Sequence, residues 1–200
     1  MSERIKLGAG LVSLFAVLVW SGIHPYDRFT WFLEVLPAVA GVGILAAVYR
    51  RFRFTSLAYG LVWIHAIILM VGGHYTYARV PLFDWIRDTF GLMRNNYDKV
   101  GHFAQGFIPA IIAREILLRT TQLKRGKILS TIVISICLAA SAFYELIEWQ
   151  VAVALGPRAT DFLGTQGDIW DTQEDMAMCL LGAILALLLL GRLHDRFLRE

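Results

Sequence analysis

Six long apolar runs, joined by short polar connections, constrain this chain more than any other feature. Residues 7–23 carry no charge, and residues 29–49 carry one acid, Glu34. Residues 54–78 are uncharged apart from His65 and His74. Residues 100–113 are uncharged. Residues 128–144 are uncharged, and the run continues through Glu145 and Glu148 to about residue 154. Residues 176–191 are uncharged and leucine-rich. A span needs about 20 residues at 1.5 Å rise to cross a hydrocarbon core of roughly 30 Å. The fourth run reaches that length only with Arg114 near the headgroups or inside the bundle. With 57% hydrophobic and 18% charged residues, the chain lacks the polar surface that coats a water-soluble fold, where charged residues are about 25%.

The expected fold is all-α: a polytopic membrane protein with a single transmembrane domain over residues 1–200. It is a bundle of six transmembrane helices at approximately 7–24, 30–49, 54–74, 98–118, 128–153 and 173–192. A short interfacial helix is expected in the outer loop around residues 81–91. There Leu82, Phe83, Ile86 and Phe90 share one face, and Asp84, Arg87 and Asp88 the other. The first run follows a short basic segment as a signal peptide would. Trp20, Ile23 and His24 stand where small residues would mark cleavage, so it reads as a retained helix.

Lysine and arginine set the orientation. Arg4, Lys6, Arg50, Arg51, Arg53, Arg119, Lys124, Arg125, Lys127, Arg192, Arg196 and Arg199 fall on one side. Arg28, Arg79, Arg87, Arg94, Lys99 and Arg158 fall on the other. The two-to-one excess puts both termini in the cytoplasm, and Trp20, Trp31, Trp85, Trp149 and Trp170 form a belt at the outer interface. The net charge of +3 is therefore a matter of topology; the expected partners are membrane lipids, with no nucleic acid. Cys137 and Cys179 are expected at different depths, as small buried hydrophobes without a disulfide.

Polar residues gather at the outer ends of the last three spans. Asp98 and His102 are four apart on one helix face, with Gln105 a turn further in. Glu145 and Glu148 share a face of the next helix, and Asp168, Asp171 and Asp175 keep a three–four spacing at the start of the last. A charge at a helix centre costs about 2.5–3.5 kcal/mol on insertion scales, so Glu145 must face the bundle, stay neutral or meet a cation. One imidazole with several carboxylates suits zinc, manganese or iron, and carboxylates with water suit magnesium or calcium.

Plainer readings stand beside these. Asp168, or Thr172 with Asp175, suits a cap of the last helix, Asp98–His102 an ion pair, and Glu145 a hydrogen bond to Tyr97 or Gln105. His74 suits an interfacial polar cluster and His65 a bundle hydrogen bond. Glu34 is placed to reach the outer cavity, and Arg114, Glu115 and Arg119 read as snorkelling or paired.

His74-Tyr75-Thr76-Tyr77-Ala78, Arg94-Asn95, Tyr97-Asp98, Gly101-His102-Phe103 and Gln105-Gly106-Phe107 resemble the YjdF-type family of bacterial inner-membrane proteins. So do Phe143-Tyr144-Glu145-Leu146-Ile147-Glu148-Trp149, Gln166-Gly167-Asp168-Ile169-Trp170-Asp171, Gln173 and Asp175-Met176. The resemblance implies a multi-pass protein of the bacterial inner (cytoplasmic) membrane and supplies no reaction. More distantly, Asp98-Lys99, His102-Phe103, Glu145, Arg158, Asp171 and Gly182 are similar to VanZ-like membrane domains, associated with glycopeptide resistance. Asp175 stands where those tend to have asparagine, and Met178 where glycine is common.

Three functions fit these residues. One is an enzyme acting on lipid or lipid-linked headgroups, with Asp98 and His102 as acid–base pair and Glu145, Glu148, Asp171 and Asp175 holding a divalent metal ion. Another is a non-catalytic membrane protein whose cluster locks helices or docks a partner. The third is a small-solute or proton-linked transporter using Glu145 and Glu148.

Overall fold

A computed structural model describes residues 3–156, 162 and 165–199. Among them the chain forms seven helices: α1 (Glu3–Gly22), α2 (Arg28–Val48), α3 (Ser56–His74), α4 (Pro81–Phe90), α5 (Tyr97–Thr120), α6 (Lys127–Leu155) and α7 (Asp171–Phe197). The architecture is all-helical. Helices α2, α3, α6 and α7 are long and apolar enough to cross a membrane, while α1 offers the shorter apolar stretch Leu7–Gly22. Helix α5 is 24 residues long, but Asp98, Lys99, Arg114, Glu115 and Arg119 interrupt its apolar surface.

Local chemistry explains the helix starts. Asp27 caps α2 by accepting from the Thr30 N–H at 2.7 Å, and Thr55 caps α3 through Ala58 N–H at 3.3 Å. Helix α4 opens on a proline and closes on Gly91 in the left-handed region (φ 64°), the usual punctuation of a short helix. Leu82, Trp85 and Phe90 on it are exposed. Asp168 does not cap α7 directly. It accepts from the Trp170 N–H at 2.9 Å and turns the chain into the helix, which begins at Asp171.

Helices α5 and α7 share the most extensive contact, flanked by α6, with α3 packed on α5 and α1 and α2 on α3. Two glycines permit the α5–α7 approach. A Cβ at Gly106 would overlap the Cys179 carbonyl, and one at Gly182 the Phe103 carbonyl. Small residues at such a seam let helix backbones touch where lipid supplies no hydrophobic drive. Below this seam Ile111, Val133, Cys137, Cys179, Ala183 and Ala186 are fully buried and packed together. The two cysteines are not at different depths as expected. Cys179 Sγ donates to the Cys137 carbonyl at 3.5 Å, and both thiols are free and buried. The axial offset of α6 against α7, absent from the sequence pattern, sets their level.

The outward faces are apolar. Val12, Phe15, Ile44, Leu188 and Leu189 are exposed, and no more than 28% of any spanning window is buried in the protein. Lipid can cover such a surface, while the helices satisfy their own backbone groups.

Candidate functional site

The start of α5 places Asp98 and His102 one turn apart, and the start of α7 places Asp171 and Asp175 opposite them. Between the two helices lies Arg94, 7% exposed. Its guanidinium donates to Asp98, to Asp171 and, at 3.3 Å, to Asp168. Lys99 extends the network, with Nζ 3.1 Å from Asp175, 3.1 Å from Glu174 and 3.5 Å from Asp171. The loops entering both helices are clasped as well. Asn95 N–H donates to Gln166 Oε1 at 3.0 Å, and Gln166 Nε2 donates back to the Asn95 carbonyl at 2.8 Å. Outside the helices, the Trp170 N–H first, and then the Arg94 and Lys99 charges, hold Asp168 below the ordinary carboxylate range.

One layer further in, the cations stop. A cavity of about 100 Å³ has room for several water molecules. Its walls include Glu34 of α2, His65 of α3, His102 and Gln105 of α5, Tyr144 and Glu148 of α6, and Asp175 of α7. Among the described residues no lysine or arginine lines it. Tyr77 also reaches it, delivered by the paired left-handed residues Thr76 (φ 55°) and Tyr77 (φ 53°). Its ring fills the space left by Gly72 and Gly101. Left-handed conformations at non-glycine residues cost of order 1 kcal/mol or more and persist where the surroundings enforce them.

His102 sits between two acids. Nε2 is 3.5 Å from Asp175 Oδ2, and Nδ1 is 3.8 Å from Glu145 Oε1 and 3.1 Å from Gln105 Oε1. Two buried polar atoms in this layer, Glu145 Oε1 and His65 Nε2, have no hydrogen-bond partner. Among the described residues, two groups are close enough to hold a metal ion: His102, Glu145 and Asp175; and Asp98, Asp171 and Asp175. The first is free of strong cations except Lys99 on one Asp175 oxygen; the second is neutralised by Arg94 and Lys99.

The sequence-expected residues thus separate. Asp98 is bound to Arg94, so the carboxylates nearest the His102 imidazole are Asp175 and Glu145. Asp171 belongs to the Arg94 network. Glu148 faces the cavity with Glu34 and joins neither metal-sized group. Tyr97 donates to the Ile68 carbonyl at 3.0 Å and not to Glu145. His74 stands apart: it donates to the Ser21 carbonyl at 2.9 Å and stacks on Trp20. Arg158 lies outside the described residues.

Sequence reasoning missed Arg94 as the centre of the network, though its spacing of four from Asp98 was a readable signal. It read Arg114, Glu115 and Arg119 as snorkelling or paired, and missed His194 and Asp195, which complete a second polar cluster at the opposite ends of α5 and α7. There Glu115 and His194, both fully buried, lie 3.0 Å apart. Glu115 also accepts from the Thr55 amide and hydroxyl and from Arg119, at 2.8–2.9 Å. Arg114 donates to His194 Nδ1 at 2.9 Å and to Asp195 at 2.7 Å, and Arg125 donates to Asp195 at 2.8 Å. Because arginine only donates, Nδ1 of His194 accepts, so Nε2–H donates to Glu115.

Apolar helices that expose their hydrocarbon faces and bury ion networks at both ends define an integral membrane protein. A family model described as "Predicted membrane protein (DUF2238)" matches residues 8–196. The chain is 49% identical over 203 residues to "Inner membrane protein YjdF" of Escherichia coli (strain K12), covering 100% of this chain and 97% of that protein. The chain belongs to this membrane-protein family. No solved structure matches it.

Proposed function

We propose that the chain is a multi-pass inner-membrane enzyme whose cavity receives the polar head group of a lipid or lipid-linked substrate. The observation that carries this reading is the carboxylate- and imidazole-lined cavity of about 100 Å³, bordered by the unpartnered Glu145 Oε1. Membrane proteins seldom retain such groups without a use for them. Six spans with both termini cytoplasmic put this cavity near the outer leaflet, and the Lys and Arg distribution supports that orientation. The exposed Leu82, Trp85 and Phe90 of α4 support its lying in the outer interface.

Within the cluster the residues divide their work. Arg94 with Asp98, Asp168 and Asp171 locks the helix ends, while His102, Glu145, Glu148 and Asp175 face the substrate. The expected pairing of Asp98 with His102 gives way here to Asp175 and Glu145 as the acids beside the imidazole. Transport fits less well. The packed layer of Ile111, Val133, Cys137, Cys179 and Ala183 separates the cavity from the Glu115–His194 cluster and leaves no polar path between them among the described residues.

The test is to reconstitute the purified chain with total lipid extracted from bacterial inner membranes and to follow head groups by mass spectrometry. The reading expects a lipid species altered by wild type and not by Glu148→Gln, with both proteins equally folded. Identical lipid profiles with wild type, Glu148→Gln and empty vesicles would overturn it.

A further inference from the structure

Two acids flank His102, and among the described residues no lysine or arginine lines the cavity they share with it. Nδ1 faces Gln105 Oε1 at 3.1 Å. An amide oxygen only accepts, so Nδ1 carries the ring proton. The neutral imidazole then turns a bare Nε2 lone pair toward Asp175 Oδ2, 3.5 Å away. An ionised carboxylate also only accepts, so a proton or a metal cation must lie between these two atoms. Lys99 does not relieve this, because it binds the other oxygen, Asp175 Oδ1, at 3.1 Å. From α6, Glu145 brings Oε1 to the other side of the same ring, 3.8 Å from Nδ1. Its side chain is 7% exposed, and that oxygen is buried without a hydrogen-bond partner.

One ligand atom from each of these three residues lies within 4.8 Å of the others. Metal–ligand bonds of about 2.0–2.2 Å allow opposite ligands roughly 4.2 Å apart, so small side-chain movements close the set. The neighbouring group of Asp98, Asp171 and Asp175 is equally compact, but Arg94 and Lys99 already meet its charge.

We propose that His102, Glu145 and Asp175 bind a divalent first-row transition-metal ion, with Gln105 as the positioning residue that fixes the imidazole tautomer. One imidazole with carboxylates suits zinc, manganese or iron. A ligating histidine ordinarily gives its second N–H to an acceptor, as Gln105 Oε1 provides here. This site rests on reading the cavity as a working site and revises the ligand set expected from sequence: His102 joins it, Asp171 serves Arg94, and Glu148 remains in the cavity wall as a carboxylate free to exchange a proton. When bound, the ion would polarise a phosphoryl or acyl oxygen of a head group.

The experiment is metal analysis of the full chain, purified in detergent, stripped with chelator, dialysed and titrated with Zn²⁺, Mn²⁺ and, as an optical probe, Co²⁺. The proposal expects about one ion per chain and a Co²⁺ spectrum showing nitrogen ligation. Asp175→Asn and Glu145→Gln should each weaken Zn²⁺ binding more than about tenfold, and Gln105→Leu about 10–100-fold. Glu148→Gln should retain it. Thermal melting of each variant separates lost ligation from lost folding, and Glu145→Gln, whose Oε1 has no hydrogen-bond partner to lose, guards against Asp175→Asn failing to fold. No stoichiometric ion in wild type, or equal binding by wild type and both ligand variants, overturns the proposal. Lipid turnover by a wild-type chain that binds no stoichiometric ion would overturn the ion and leave the proposed function standing. Metal binding without lipid turnover would uphold the ion and overturn the function.

Discussion

The two ends of the α5–α7 pair both carry buried charges and use them differently. At one end, Glu115, His194, Arg114 and Asp195 form a closed network in which the carboxylates and imidazole nitrogens meet donors or acceptors at 2.7–3.0 Å. Among the described residues, the packed layer of Ile111, Val133, Cys137, Cys179 and Ala183 lies between it and the cavity. At the other end, the Arg94 clasp is equally tight, but it gives way inward to a cavity, an unpartnered glutamate oxygen and an imidazole facing a carboxylate. A satisfied buried network rigidifies a fold, whereas one left open at high cost marks a place where a ligand supplies what is missing. The comparison sets the closed cluster apart as architecture and leaves the open one as the place for the proposed function.

The largest effect should come from the seam that both ends share. Gly106→Ala places a Cβ against the Cys179 carbonyl, which is backbone and cannot rotate away. The helices must part, at a cost at or above the usual 1–3 kcal/mol or so of overpacking, and both clusters should fail together. Expression level and thermal unfolding in detergent check this. If Gly106→Ala melts with wild type, the seam does not couple the two ends.

Glu115→Ala comes next. It leaves His194, Arg119 and Thr55 facing an empty buried site, and removing one partner of a buried ion pair costs about 3–5 kcal/mol. The unfolding transition should shift down sharply while metal and lipid binding per folded molecule stay unchanged. Arg94→Met should fall at the lower end of that range, about 3 kcal/mol, because it strips buried Asp98 of its cation while Lys99 still faces Asp171 and Asp175. The smallest change in stability belongs to Glu148→Gln. No ion-pair partner holds this buried carboxylate among the described residues, so removing its charge should be neutral or stabilising by up to about 1 kcal/mol. Its effect should appear in lipid turnover. A Glu148→Gln protein that unfolds as readily as Glu115→Ala would erase the distinction between the two ends.

Much of this arrangement can be read from sequence, and the limits are instructive. The apolar runs locate the helices because period and length are local properties. Helix α4 is legible from Pro81 and the amphipathic order of Leu82, Phe83, Asp84 and Arg87. The gathering of Asp98, His102, Glu145, Asp171 and Asp175 is legible because each falls near the same end of a span. What the sequence leaves open is the partnering across helices. Whether Asp98 meets His102 or Arg94 depends on how α5 and α7 rotate against each other, and Cys137 meets Cys179 through an axial offset that no periodicity records. His194 looks like part of a basic tail after the leucine-rich run. It becomes a core residue only because α7 extends to Phe197 and packs along the full length of α5.

The central claim is that the cavity beside Glu148 is a polar site reached from the non-cytoplasmic side, and cysteine labelling tests it most directly. The native thiols Cys137 and Cys179 are 1% and 0% exposed, so Glu148→Cys in the otherwise unaltered chain offers the reactive thiol. In intact cells with the outer membrane permeabilised, a small membrane-impermeant thiol reagent should modify Glu148→Cys and spare wild type. Modification only after the inner membrane is opened, or none in a folded protein, would contradict the account.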